Sequence, residues 1–259
     1  MVKSKSTNEA DDAQPFFNEQ VAFPSLESII LYGLRNTKII WHNQLPQGSF
    51  CKLKELDVRD CENLMTIFTK DMVGSIFKSI EKLAIYSCAS VEEVFKVGEI
   101  NLKEPVQTPL RNLRINSLPS LKHVWNEDPR GILTFHNMES VIVCDCPSIK
   151  NVFPVSIAQG LKQLQKLQIE GCGVEEIVAM GCEGTEAALK FVFPQLSNIR
   201  LTRLQRLRYF YPRKHITLWP ELKNLNVFDC GCADEVEIRN GQGRPDFPVG
   251  QPLFSMEEV

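Results

Sequence analysis

Between Leu26 and Cys230 one short pattern of apolar and polar positions recurs eight times. Aliphatic residues stand at the first, fourth and sixth places, mostly polar residues fill the gaps, and a Cys or Leu closes the ninth. Five copies end in Cys: Leu53, Leu56, Val58, Cys61; Ile80, Leu83, Ile85, Cys88; Met138, Val141, Val143, Cys146; Leu164, Leu167, Ile169, Cys172; and Leu222, Leu225, Val227, Cys230. Three end in Leu: Leu26, Ile29, Leu31, Leu34; Leu110, Leu113, Ile115, Leu118; and Leu196, Ile199, Leu201, Leu204. The centre of each copy alternates apolar and polar, which is the period of a strand with one buried face. It predicts that Leu56 and Val58 point inward and Glu55, Asp57 and Arg59 outward.

The copies start at 26, 53, 80, 110, 138, 164, 196 and 222, an average step of 28 residues. The Leu-type copies start at 26, 110 and 196, so a larger unit of one Leu-type and two Cys-type copies is laid over the first period. A strand that cannot bury its apolar face alone, repeated at this step, is the signature of a leucine-rich-repeat solenoid. The expected fold is therefore an α/β horseshoe, with a parallel sheet on the concave side and mixed helical and irregular arms on the convex side. Leu64–Phe77 and Ile149–Leu161 have a helical look, and Pro154 is compatible only with a helix start. Residues 23–240 form the solenoid. Residues 1–22, polar, and 241–259, containing Gly and Pro, are tails, and neither shows the polar face that capping requires, which points to a piece of a longer chain or a short relative of one.

Nine cysteines, an odd number, argue against a disulfide framework. Cys61, Cys88, Cys146, Cys172 and Cys230 fall at the ninth place, where a small buried side chain suits the turn off the strand. The pairs Cys144-x-Cys146 and Cys230-x-Cys232 lack zinc-ligand spacing. No metal or cofactor is expected.

At this point a family likeness emerges. Leu-type copies run into aromatic segments (IIWHN at Ile39–Asn43, SLPSLKHVWNED at Ser117–Asp128, LRYFYP at Leu207–Pro212), and Cys-type copies into CASVEEVF from Cys88 and GCGVEEIVA from Gly171. This alternation resembles the leucine-rich-repeat region of plant coiled-coil nucleotide-binding disease-resistance proteins. The resemblance implies protein recognition in intracellular innate immunity. It implies sensing of a pathogen effector or a modified host protein, and restraint of a nucleotide-binding switch. The phosphate loop G-x-x-x-x-G-K-[ST] of the switch domain is missing from this chain, so nucleotide binding is not expected of it.

A net charge of -3 gives no electrostatic reason for a nucleic-acid or anionic-membrane partner. No apolar run is long enough to span a bilayer, no secretory core opens the chain, and no Asn-x-Ser/Thr acceptor occurs, so a cytoplasmic location is expected. Enzyme signatures such as G-x-S-x-G and H-E-x-x-H are missing. His42, His123, His136 and His215 are dispersed, and Glu92-Glu93 recurs as Glu175-Glu176 one large unit later, as a repeated fold position or solvated face would. The outward strand positions are mostly polar. The exceptions are Tyr32, Tyr86, Ile142 and Phe228, with Arg114 and Arg200 at equivalent places. Tyr and Arg are enriched in binding hot spots, so these six are the candidate protein-binding residues. Tyr86, Arg114, Ile142 and Arg200 are expected across the middle of the face. A general scaffold, such as the substrate-binding arm of a ubiquitin ligase, would use the same surface.

Overall fold

The computed structural model describes residues 14–98, 104–181 and 188–231. Both ends of the chain, including the tail 241–259 and Cys232, lie outside the described residues. Eight parallel strands form one sheet in chain order: Ser28–Tyr32, Glu55–Arg59, Lys82–Tyr86, Asn112–Asn116, Ser140–Cys144, Lys166–Glu170, Asn198–Leu204 and Asn224–Cys230. Each opens one coil, numbered here 1 to 8.

The register is in step throughout. Ile29, Leu56, Leu83, Leu113, Val141, Leu167, Ile199 and Leu225 form one interior row, and Leu31, Val58, Ile85, Ile115, Val143, Ile169, Leu201 and Val227 form the next. From coil 2 to coil 7 these side chains are almost wholly buried. Each contributes roughly 1.5–3 kcal/mol of burial, which only the neighbouring coil makes available. In coil 8, with one described neighbour, Leu225 is 45% exposed and Val227 40%, whereas Ile29 and Leu31 of coil 1 are each 6% exposed.

A turn of fixed geometry ends every concave strand. The residue at the eighth place of each repeat has positive φ: Gly33, Asp60, Ser87, Ser117, Asp145, Gly171, Arg203 and Asp229. This left-handed conformation costs most side chains energy but is tolerated by Gly, Asp and Asn. Here it aims the backbone N–H at the strand-end carbonyl of the next coil, as in Asp60 to Tyr86 (3.0 Å) and Asp145 to Glu170 (2.8 Å). It also turns the ninth side chain inward.

The five ninth-place cysteines are buried and reduced. Each thiol donates to the carbonyl two residues earlier, at 3.2–3.5 Å. The neighbouring Cys88 thiol holds the Cys61 thiol down to about 7. The same pairing, reinforced by burial, drives Cys88 up.

The convex arms differ from expectation. Among the described residues the only α-helix is Val155–Gly160, begun by Pro154 as its N-cap, with two short 3-10 turns at Lys70–Gly74 and Ile76–Lys78. Extended segments dominate instead: Thr66–Thr69, Glu93–Lys96 and His123–Trp125 form a second parallel sheet, and two-stranded pairs follow at Val106–Gln107 with Leu133–Thr134 and at Leu189–Val192 with His215–Leu218.

The cause is an aromatic column. Phe17, Trp41, Phe68, Phe95, Trp125 and Phe153 stack one per coil, with ring centroids 5.3–6.5 Å apart. That spacing is close to the ~4.8 Å between paired strands, so large flat rings favour extended arms set in register over helices, whose greater width would force the rings apart. Phe17 belongs to the stretch 1–22 and sits on Trp41, with its backbone N–H bonded to Ile40. The Trp41 indole N–H donates to the buried Ile67 carbonyl at 2.9 Å.

Two predictions follow from the coil-to-coil contacts. A Cβ added at Gly173 would lie 2.0 Å from the Pro147 carbonyl oxygen of the preceding coil, whereas one at Gly98 meets nothing nearer than 3.9 Å. Gly173→Ala is expected to lower unfolding stability by about 3 kcal/mol in urea titrations, while Gly98→Ala stays within about 0.5 kcal/mol of the parent. In a variant with Cys182 and Cys232 changed to Ser, a maleimide is expected to label one native thiol, the exposed Cys51. Cys61, Cys88, Cys144, Cys146, Cys172 and Cys230, all buried, should react only after unfolding, as read by mass spectrometry.

Candidate recognition face

With the inward positions consumed by the core, the alternating positions form the open face of the sheet. Its mid-line runs Ile30, Asp57, Ala84, Arg114, Ile142, Gln168, Arg200, Asn226, and its strand-end row Tyr32, Arg59, Tyr86, Asn116, Cys144, Glu170, Thr202, Phe228. All the backbone ladders of coils 2–7 are paired on both sides, so this face offers side chains and not backbone to a partner.

The six candidate residues fall into two groups. Tyr86, Arg114 and Ile142 line one groove of about 280 Å³, together with Ile30, Asp57, Lys82 and Ala84. Tyr32 lies on the first strand outside that lining and is 69% exposed. Arg200 and Phe228 lie further along, three and four strands beyond Arg114, and Phe228 is 72% exposed.

Ile142 does not stand free as expected: it is only 9% exposed. In the mid-line it is flanked by Arg114 and Gln168, and long side chains on both sides close over a branched one. It forms floor, not rim. Cys144, also outward by alternation, is covered too, and burial pushes its thiol up to about 11.

Three residues shape the groove that alternation alone did not single out. Ala84 sits between Asp57 and Arg114 in the mid-line and leaves a dent between longer neighbours. Arg59 grips Asp57 through two hydrogen bonds, Nε to Oδ1 at 2.7 Å and a terminal nitrogen to Oδ2 at 2.5 Å. Its guanidinium also lies 4.9 Å from the centre of the Tyr86 ring. The pairing raises the Arg59 pKa above its ordinary value. A planar cation held by a carboxylate and laid on a ring restrains all three. The sequence signal was present: Asp57 and Arg59 are two apart and so share a strand face.

The carboxylates of the face are all engaged. Glu55 accepts from Lys82 at 2.6 Å, Asp57 from Arg59, and Glu170 from Arg203 at 3.3 Å. Arg203, at its left-handed corner, also reaches Asp145 at 3.3 Å and so links three coils. Arg114, Lys166 and Arg200 have no ion-pair partner among the described residues.

The remaining sequence candidates do not converge. His42 accepts from the Gln44 N–H at 3.1 Å, and His215 is buried among aromatic rings with Nδ1 2.8 Å from the Arg213 carbonyl. Glu92 pairs with exposed Lys122 at 2.8 Å, and burial raises the pKa of Glu176. The Cys144 and Cys146 thiols belong to different environments, one on the open face and one in the core. Among the described residues no helix is long and apolar enough to cross a membrane.

Comparison with known proteins agrees with this architecture. The sequence profile of plant disease resistance protein RPS2-like leucine-rich repeats matches residues 25–173. A probable disease resistance protein of Arabidopsis thaliana is 26% identical over 133 residues, which is 50% of this chain and 14% of that protein. The chain thus spans a small part of that relative's length. No solved structure matches. The extent of the profile match and the eight in-register coils together show that the chain belongs to the RPS2-like leucine-rich repeats of plant disease resistance proteins.

Proposed function

We propose that the open face of the sheet is the recognition surface of an innate immune receptor, binding a pathogen effector or a host protein that an effector has modified. The observation that carries this reading is the set of large side chains kept on a solvated sheet without a core role. Tyr32, Ile30 and Phe228 are each about 70% exposed, and Tyr86 is held under Arg59. Exposed aromatic residues on a rigid sheet lose little conformational freedom on binding, which is why Tyr and Arg recur in hot spots.

In a full receptor the same coils would transmit occupancy to a nucleotide-binding switch domain, and the cytoplasm would be their compartment. The membership in disease resistance repeats and the extended eight-stranded face support this reading over a general scaffold. A partner bound to the face would contact several coils at once, and each coil is rigidly registered to the next.

Tyr86→Ala and Arg114→Ala are expected to leave circular dichroism unchanged and to weaken binding of the cognate effector or host protein. The expected loss is about 2 kcal/mol each, roughly thirty-fold in Kd, by interferometry against a panel of effectors and host proteins. Unaltered affinity in both variants would remove the open face as the recognition surface.

A further inference from the structure

The charge distribution on the open face identifies the chemistry of its partner, on the premise that the face is the recognition surface. We propose that the partner presents an acidic segment, with two carboxylates that meet Arg114 and Arg200 and, beyond the Arg114 end, an aliphatic or aromatic side chain that enters the dent over Ala84.

The electrostatic accounting is lopsided. The outward positions of the concave strands carry three carboxylates, Glu55, Asp57 and Glu170, and each is neutralised by a cation of its own or a neighbouring coil. Five cations, Arg59, Lys82, Arg114, Lys166 and Arg200, share those outward positions, and Arg114, Lys166 and Arg200 are left over. The surplus is positive although the chain as a whole carries -3. A partner that covers these cations must compensate their lost hydration. A basic surface would be repelled, and a neutral one would leave buried charges unpaired, which costs more than the contact returns. Carboxylates meet both demands and pair with guanidinium through two parallel hydrogen bonds.

Geometry sets the spacing. Arg114 and Arg200 share the mid-line three strands apart, roughly 14 Å at ~4.8 Å per strand. An extended chain rises ~3.4 Å per residue, so carboxylates about four residues apart reach both. The groove beside Tyr86 sets the apolar Ile30, Ala84 and Ile142 next to Lys82 and Arg114. An apolar patch beside discrete cations fits a peptide segment better than a polyanion, which calls for a continuous basic track.

The test uses a phage-displayed library of random linear peptides selected on the whole chain. Selected peptides should carry two Asp or Glu residues with an aliphatic or aromatic residue outside the pair, and bind more weakly as salt rises. Arg114→Glu, Arg200→Glu and Ala84→Trp should each weaken them roughly ten-fold or more, with circular dichroism unchanged. Lys214→Glu, outside the sheet, should leave them intact. Neutral or basic selected sequences, recovery of none, or indifference to both charge reversals would overturn the proposal. So would equally tight binding of a poly(dT) oligonucleotide that depends on Arg114. Neutral or basic peptides that still require Tyr86 would remove the acidic partner while keeping the face as recognition surface. Peptides indifferent to every substitution on the face would remove both.

Discussion

Lateral burial between neighbouring coils is the interaction on which everything else in this protein rests. A five-residue strand with two inward aliphatic side chains has no core of its own. It acquires one only when the next coil places its own pair alongside, in register, as Leu56 meets Leu83 and Val58 meets Ile85. The left-handed corner of each of the first six coils supports this register, because its N–H finds its acceptor on the following coil. Ionic pairs along the strand entrances, such as Lys54 with Glu27 and Arg111 with Glu139, follow the same coil order. Being exposed, they add little stability individually.

A solenoid built this way separates the residues that hold the coils together from those of the open face. The inward rows, the ninth-place cysteines and the aromatic column hold the coils together, and the open face is left free of those duties. The Asp57, Arg59 and Tyr86 cluster and the unmatched cations Arg114, Lys166 and Arg200 stand outside the buried core. Arg203 is the exception to this separation, since it stabilises the corner of coil 7 while neutralising Glu170 and Asp145.

The convex side shows where local pattern misleads. Leu64–Phe77 has apolar residues at spacings compatible with a helix, yet Thr66–Thr69 is a strand and short 3-10 turns follow. The decisive contact is between Phe68 and the rings of Trp41 and Phe95, residues about 27 positions away on either side. A helical preference worth tenths of a kilocalorie per residue yields to ring stacking that recurs in every neighbouring coil. Likewise alternation places Ile142 on the outward row, but its burial depends on Arg114 and Gln168, which belong to other coils.

What the sequence determined alone is whatever depends on a period: the eight described coils, the inward rows, the five buried ninth-place thiols, and the set of positions facing the open side. These follow from alternation within a strand and from a fixed repeat step, both local properties of the chain. The left-handed corners were half visible, as a run of Gly, Asp and Ser at the eighth place that Arg203 interrupts. Tertiary structure decided the extended convex arms, the groove around Ala84, the clamp on Tyr86, and which cations remain unmatched. Each of these is settled between side chains on different coils, and no reading of one repeat in isolation contains the neighbour that completes it.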